Sequence, residues 1–290
     1  MKDNLKFNVN TESTLLPFLL SSLSGKSRNY VKGVLKRGQV VVDGKVCTDY
    51  SRAISPGQQV EVLLKAPVSA AKMKIPIIYE DDDIIVIDKP AGMLSISTDK
   101  ERENTVYYIV TDYMKSKAKS GRIFVVHRLD RETSGVMLLA KNERTKYILQ
   151  EHWDELAVRR GYTAVVEGKV LTPEGTVKSW LKQTKTLLVY SSKVKGDGKL
   201  AITNYRTLKV TDKYSLLDIS LDTGRKNQIR VHMNDMGHPI AGDKKYGAQT
   251  DPVGRLCLHA SELIIKHPST GEQISFESKL PGAFSKVMSV

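Results

Sequence analysis

The chain is poor in cysteine: Cys47 and Cys257 stand far apart among 290 residues, and neither belongs to a CxxC pair. That spacing excludes a disulfide framework and a cysteine-rich zinc site, and it suits a reducing compartment, so a cytoplasmic protein is expected. Long apolar runs are missing too. The longest, such as residues 84–87 and 136–140, fall far short of the ~20 residues a membrane-spanning helix needs, so no membrane association is expected. The opening MKDNLKFNVNTEST carries acidic and amide residues where an export signal has its apolar stretch, which argues against secretion. The six histidines, at positions 127, 152, 232, 238, 259 and 267, form no HExxH pair, so no metal is expected. A serine-hydrolase GxSxG is absent, since Ser134 precedes its glycine without an earlier one. SGKSRN resembles the tail of a phosphate loop, but Leu20 stands where that pattern requires glycine.

Positive charge, by contrast, is abundant. Forty-five Lys and Arg against 32 Asp and Glu leave a formal net charge of +13, which points to a polyanionic partner, most commonly nucleic acid for a soluble protein. The length exceeds the usual ~150 residues per domain, so a large core-bearing domain with a smaller module is expected. The boundaries read as 1–65 for the small module, 66–74 for a Ser- and Ala-containing linker, and 75–290 for the large domain.

In the small module Ser27 is placed to cap a helix over residues 28–37, with Val31, Val34 and Leu35 on its apolar face. Arg28, Lys32 and Lys36 recur every four residues on another face, a stripe suited to a phosphate backbone; a merely solvated face is the plain alternative. Asp43-Gly44 in VVVDGKV is a two-residue hairpin signal, and Pro56-Gly57 turns the chain into a strand at 60–64. In the large domain the acidic run 80–83 reads as a solvated turn. Asn142 is placed to cap a helix running to about residue 157. GYTAVVEG, LLVYSS, AITNYRTLKV and YSLLDISL then alternate with turns, and GRKNQIRVHMNDMGHP reads as a turn followed by a helix. The fold class expected is α+β, a mixed and mostly antiparallel sheet domain preceded by a small helix-hairpin module.

The stretch FVVHRLDRETSGVMLLAKN, residues 124–142, sets one carboxylate, Asp130, in a short polar turn between two apolar strands. On spacing alone an Asx-turn accepting backbone N–H groups is the leading reading. Arg128 and Arg131 shift the balance, because neighbouring cations favour the ionised carboxylate, and no second acid is at hand for a glycosidase pair. A lone carboxylate of this kind suits a nucleophile or a base.

HRLDRETSG closely resembles the signature of the RluA/RluD family of RNA pseudouridine synthases. DKPAGMLS, RRGYTAVVEG, GKLAITNYRTL, GRKNQIRVHMNDMGHPIAGDKKYG and LCLHASELIIKHP resemble its other motifs in family order across residues 75–290. Residues 11–65 resemble an S-four-type RNA-binding domain, a module that often precedes such a synthase. The resemblance implies isomerisation of uridine in structured RNA, large-subunit ribosomal RNA first, by a monomer that needs no cofactor. It implies Asp130 as the essential aspartate, Tyr162 as the tyrosine beside the uracil, and Arg230 as the basic partner of Asp130. Arg128 is the residue to enter the helix where the base leaves, and His127 and Arg225, with Arg28, Lys32 and Lys36, are further RNA contacts. The basic segments 141–146, 159–160 and 178–195 are expected to hold the RNA backbone. Two departures stand out: Asn227 replaces the family histidine of GRTHQIR, so a positioning role survives there but proton transfer does not, and residues 175–199 match the family poorly. The rivals are a non-catalytic RNA-binding or ribosome-assembly factor on the same fold, and a synthase acting on transfer RNA.

Overall fold

A computed structural model describes residues 4–36, 38–64, 75–98, 101, 103–118 and 120–289. The chain divides into two compact units, Met1–Lys72 and Met73–Val290; the expected linker, 66–74, lies outside the described residues.

The first unit holds β1 (Leu5–Asn8), β2 (Ser13–Thr14), α1 (Leu15–Ser22), α2 (Arg28–Lys36), β3 (Val40–Val42), β4 (Lys45–Val46), β5 (Ala53–Ile54) and β6 (Gln59–Val62). Ser27 caps α2 by accepting the Tyr30 N–H at 3.2 Å, and Val31, Val34 and Leu35 are buried as the spacing predicts. Asp43 and Gly44 both have positive φ, 48° and 78°, the backbone a two-residue hairpin turn demands. The Asp43 carboxylate accepts the Gln59 N–H at 2.9 Å and so fixes that turn against β6. Helix α1 was not expected; its LLPFLL core (Leu15, Leu16 and Leu19 buried) packs with α2 and the sheet residues Val40, Val42, Val60 and Val62.

The second unit is built on one mixed sheet. Its strands are β7 (Ile77–Glu80), β8 (Ile84–Lys89), β9 (Phe124–Val125), β10 (Ser134–Ala140), β11 (Ala157–Glu167), β12 (Glu174–Gln183), β13 (Val189–Ser192), β14 (Lys199–Val210), β15 (Tyr214–Leu221), β16 (Leu258–Lys266) and β17 (Gln273–Glu277). Its helices are α3 (Val106–Lys117), α4 (Glu143–Glu151), α5 (Trp153–Leu156), α6 (Gln228–Asp235) and α7 (Gly282–Val287). Strand order is β13-β12-β14-β15-β11-β16-β10-β8-β7, with β9 on β10 and β17 on β16. The described pairings are antiparallel except β10 with β16, so the α+β, mostly antiparallel expectation holds.

Alternation along β8 and β10 covers the sheet on both sides. Ile85, Ile87, Met137 and Leu139 pack against Val106, Val110 and Met114 of α3. Ile84, Val86, Val136 and Leu138 face Leu149 of α4 together with Leu263 and Phe276. Each such fully buried aliphatic side chain contributes ~1.5–3 kcal/mol. Helix α3 hides in a β-like sequence, VYYIVTDYM, yet its Thr105 caps the Tyr108 N–H and its buried residues recur every four positions. The helix begun at Asn142 ends at Glu151, short of the expected 157, because His152 leaves helical backbone before the single turn α5 and Ala157 already belongs to β11. Residues 175–199 supply most of β12 and all of β13, two antiparallel strands that extend the sheet. The acidic run 80–83 is a bonded knot rather than a solvated turn: Asp81 accepts the Asp83 and Ile84 N–H groups and bonds His267, while Glu80 pairs with Lys117 and Lys141.

Gly135, at the start of β10, has φ of 111°, and a side chain there would place its Cβ 2.0 Å from the Ala260 carbonyl oxygen. Only glycine lets β10 approach β16 that closely.

His232 is fully buried between Ser179 and Thr203, bonded to both through its two ring nitrogens at 2.9 and 2.8 Å. Burial pushes its pKa down from 6.5 to about 4. Between those values the unfolded chain binds the extra proton, so stability falls as pH drops from 6.5 towards 4, by roughly 3 kcal/mol for this group. Denaturant titrations across that window should therefore show a shallower pH slope for His232→Gln than for the wild type; equal slopes would remove this assignment.

Candidate active site

A cleft of about 930 Å3 opens where β10, β16 and β11 run side by side, lined among others by Arg128, Asp130, Tyr162, Lys226 and Arg230. Asp130 sits in the turn just before β10, where the parallel register Ser134 to His259 and Gly135 to Ala260 joins the two halves of the sheet. That turn is held mainly through its backbone. Lys89, which is 0 % exposed, donates its three ammonium protons to the carbonyls of Pro90 (3.0 Å), Arg131 (3.0 Å) and Thr133 (2.7 Å). Gly92 N–H also reaches the Arg131 carbonyl, and Thr133 N–H bonds the Asp130 carbonyl. Ser134 Oγ meets His259 Nδ1 and Arg255 Nη2 at 2.9 and 2.7 Å. Among the described residues the Asp130 carboxylate accepts no backbone N–H, so it is not an Asx-turn cap; it is left facing the cleft.

The Arg230 guanidinium approaches Asp130 Oδ2 at 4.0 Å through Nη1. Its tighter partner is Asp243, which takes Nε at 2.7 Å and Nη2 at 2.6 Å in a bidentate fork. Nη1 also reaches Asn227 Oδ1 at 3.3 Å, while Asn227 Nδ2 donates to the Tyr246 hydroxyl at 2.9 Å, and the Tyr246 ring lies 4.8 Å from the guanidinium carbon. Asn227 is buried with φ of 53° at the start of α6, so it positions Arg230 as the sequence allowed. Gln228 staples the loop before α6: its Oε1 accepts from Arg225 N–H and the Thr223 hydroxyl, and its Nε2 donates to the Ile202 carbonyl and Thr203. Lys89, Gln228 and Asp243 were not foreseen, although all three lie inside the motif segments read from the sequence.

From the sequence, neighbouring cations are expected to favour the ionised form of Asp130, and cations do pull that way in the cleft, but a second effect opposes them. Burial raises its pKa above the ordinary value, against the pull of Arg230, Lys226, Lys89 and Arg128. Arg131 is not among those cations; it pairs with Glu101 at 2.7 Å. Tyr162, on β11, is partly buried in the cleft, and burial pushes its hydroxyl up to about 12, with Arg160 opposing. Asp130, Tyr162 and Arg230 thus line one cleft, as expected.

His127, expected as an RNA contact, lines the cleft and is held there by neighbours in the fold. Its Nε2 accepts the Leu138 N–H at 2.9 Å, its ring stacks on Trp153 at 4.8 Å, and burial lowers its pKa to about 4. The neutral ring supports the cleft wall and offers RNA no cation. Arg128 is exposed on the cleft and forms no hydrogen bond or ion pair with the described residues. Arg225 is exposed, with its Nε on the Leu200 carbonyl. Several of the expected backbone cations are committed elsewhere: Arg159 to Asp218 and Glu262, Arg160 to the Leu221 and Asp222 carbonyls, Lys182 to Asp197, and Lys141 to Glu80 and the Asp81 carbonyl. In the first unit Arg28, Lys32 and Lys36 are all exposed, and Lys32 lies 5.9 Å over the exposed Tyr50 ring. Among the described residues no group of three or more His, Cys, Asp or Glu could hold a metal ion, and no helix is long and apolar enough to cross a membrane.

Residues 83–235 match the family model of RNA pseudouridylate synthase, and residues 15–60 match that of the S4 domain. An RNA pseudouridine synthase of Bacillus subtilis, YlyB, is 36% identical over 91% of this chain and 89% of its own. Ribosomal large subunit pseudouridine synthase D of Neisseria meningitidis serogroup A is 32% identical over 94% of this chain and 77% of its own. In fold, human RNA pseudouridylate synthase domain containing 4 superposes with a TM-score of 0.60 at 24% identity, covering 72% of this chain and 90% of that one.

The Arg230–Asp243 pair is nearly buried, the two side chains being 13% and 1% exposed. Removing one partner of such a pair leaves an uncompensated charge, so Asp243→Asn should cost about 3–5 kcal/mol in denaturant unfolding. Arg230→Met combined with Asp243→Asn should cost less than the sum of the two single changes; strict additivity would mean the pair is not coupled.

Proposed function

The chain belongs to the RNA pseudouridylate synthase family, and we propose that Asp130 is the group with which it isomerises uridine. The observation that carries this reading is the Asp130 carboxylate, which accepts no backbone N–H among the described residues and faces the cleft with the Arg230 guanidinium 4.0 Å away. The reaction breaks the bond from uracil N1 to the ribose C1′, turns the base, and joins C5 to C1′; the C5 hydrogen leaves as a proton and N1 gains one. Nothing is oxidised or reduced, so the site's own groups suffice. Asp130 either attacks the sugar or takes a proton from it, and both roles use the carboxylate form.

The cleft's arrangement suits that task. Arg230, held by Asp243, sets a fixed positive charge beside the carboxylate and beside the anion that the departing uracil becomes. The Tyr162 ring is a flat surface on which the base can turn. Its hydroxyl, with a pKa near 12, keeps its proton at neutral pH, which favours stacking over base catalysis. Arg128, exposed on the cleft, is placed to fill the gap in the RNA stack left by the flipped nucleotide.

For the target, large-subunit ribosomal RNA is the reading we favour. Support comes from the Neisseria relative, whose name gives that substrate for that protein, and from an S4 domain ahead of the synthase part. Arg28, Lys32 and Lys36 form the phosphate-facing stripe of that domain, with Arg225 meeting the RNA at the cleft.

Large-subunit ribosomal RNA tritiated at C5 of uridine should lose tritium to water on incubation with the protein. Asp130→Asn should bind the same RNA but release tritium at least on the order of a thousandfold more slowly. Normal turnover by that variant would remove Asp130 from its role, release from transfer RNA alone would remove the ribosomal target, and release from no RNA would sink the synthase reading.

The stripe on α2 is tested separately by salt. Replacing Arg28 and Lys32 together with alanine should flatten the plot of log binding constant against log salt, by ~0.7–0.9 for each phosphate that is no longer neutralised. An unchanged slope would mean that α2 does not touch the RNA backbone.

A further inference from the structure

Beside the reaction cleft lies a second hollow of about 400 Å3, continuous with it through Ile96, Ser97 and Val125, which line both. Its other walls are Tyr107, Ile123, Phe124 and Lys146. None of these four takes part in the isomerisation outlined above. Tyr107 is 41% exposed although it is a large aromatic, and the Lys146 ammonium stands 5.7 Å over the Phe124 ring. Resting on the proposed RNA synthase function, we propose that this hollow takes one unpaired base flanking the target uridine, stacked on its aromatic lining, with Lys146 meeting the neighbouring phosphate.

The lining chemistry selects that occupant. Two aromatic rings and three aliphatic side chains with one cation recognise a flat ring tied to an anion, and stacking of this sort tolerates any base. Among the described residues the site lacks the convergent polar groups that fix a free small polar ligand. A base delivered by an RNA already held in the adjoining cleft needs no such groups, since its backbone is positioned elsewhere and its local concentration is high. The charge agrees with a nucleic acid occupant, the chain being +13 overall.

The two sites also share a rigid wall. The buried Ser95 donates its hydroxyl to the Leu129 carbonyl at 2.7 Å and accepts the Leu129 N–H at 3.2 Å. Its own carbonyl accepts the Tyr107 N–H at 3.1 Å. Ser95 therefore ties the residue next to Asp130 to the start of α3, where Tyr107 stands. A base docked on Tyr107 is held in fixed register with the carboxylate, and this helps decide which uridine reaches it.

The test uses the full chain and an in vitro transcript of large-subunit ribosomal RNA containing a uridine that the wild type modifies, with tritium release as the readout. Tyr107→Ala, a change at an exposed position, should raise KM about tenfold with kcat little changed, as expected when one base no longer stacks. Tyr107→Phe should restore the wild-type value. Replacing the flanking nucleotides one at a time by abasic sites should reproduce the tenfold effect at one position, and the effect should not grow further when that RNA meets Tyr107→Ala. Lys146→Ala should weaken binding and flatten its salt dependence. If the wild type turns over and Tyr107→Ala keeps its KM within about twofold, or if the two effects multiply, the pocket proposal is overturned while the synthase reading stands. A wild type that turns over no RNA overturns the synthase reading, and this proposal with it.

Discussion

A buried ammonium holds the candidate site in shape. Lys89 has no solvent exposure, and its three protons all go to main-chain carbonyls, two of them, those of Arg131 and Thr133, in the turn that carries Asp130. A charge in such a place is expensive, and burial lowers its pKa to about 8, but at neutral pH it stays an ammonium because three oxygens replace its water. The same turn leads into a close approach of two strands, where Gly135 lies against Ala260 with no room for a side chain. The position of Asp130 is therefore set by backbone contacts on both sides, and its side chain needs no bond of its own to stay in place. That independence leaves the carboxylate available to a substrate.

Charge in the cleft is arranged in a graded way. Asp243 is almost wholly buried and binds Arg230 by two short bonds, while Asp130 is one-third exposed and sees the same guanidinium at 4.0 Å. If Arg230 were paired only with Asp130, the carboxylate would be neutralised by a bond that the reaction must break. With Asp243 as the structural partner, Arg230 remains where it is whatever happens at Asp130. The raised pKa of Asp130 follows from the same design: its desolvation outweighs the pull of cations at a distance, which leaves a more basic carboxylate than a tight salt bridge would.

Local signals were readable from the sequence, and long-range partnerships were not. Ser27 and Asn142 declared their helices because a cap acts within three residues, and Asp43-Gly44 declared its turn because positive φ is a property of the dipeptide itself. Asp130 could be picked out as a polar turn between apolar strands, and the family resemblance named Tyr162 and Arg230. Asp243 could not be linked to Arg230, nor Lys89 to the Asp130 turn, since nothing in one segment signals which carbonyl or guanidinium the fold will bring to it. The partners of His127 were hidden for a related reason: beside Arg128 in a polar turn it gave no local sign of the Leu138 N–H on its Nε2 or of Trp153 against its ring, which only the tertiary packing supplies. Helix α3 escaped notice because its Val, Tyr and Ile content favours strand, and burial every four residues overrides that preference only once β8 and β10 are there to pack against.

The groups proposed to act on uridine recognise what all uridines share. A carboxylate addressing the sugar, an aromatic ring under the uracil and a guanidinium beside the departing anion cannot tell one uridine in a large RNA from another. Selection must then come from surfaces around the reacting centre. Cations facing phosphates bring affinity and register but no sequence information. Discrimination is left to the cost of extracting the nucleotide, which is lowest where the RNA is already irregular, and to whether its neighbours can be accommodated once it has left. A rigid wall suits that purpose better than a mobile loop, because a misplaced neighbour cannot be absorbed by movement and its misfit is felt at the carboxylate. The hydrogen bonds joining Ser95 to Leu129 and to Tyr107 provide such a wall, so the same local rigidity that places the reactive group also limits which RNA shapes can present a base to it.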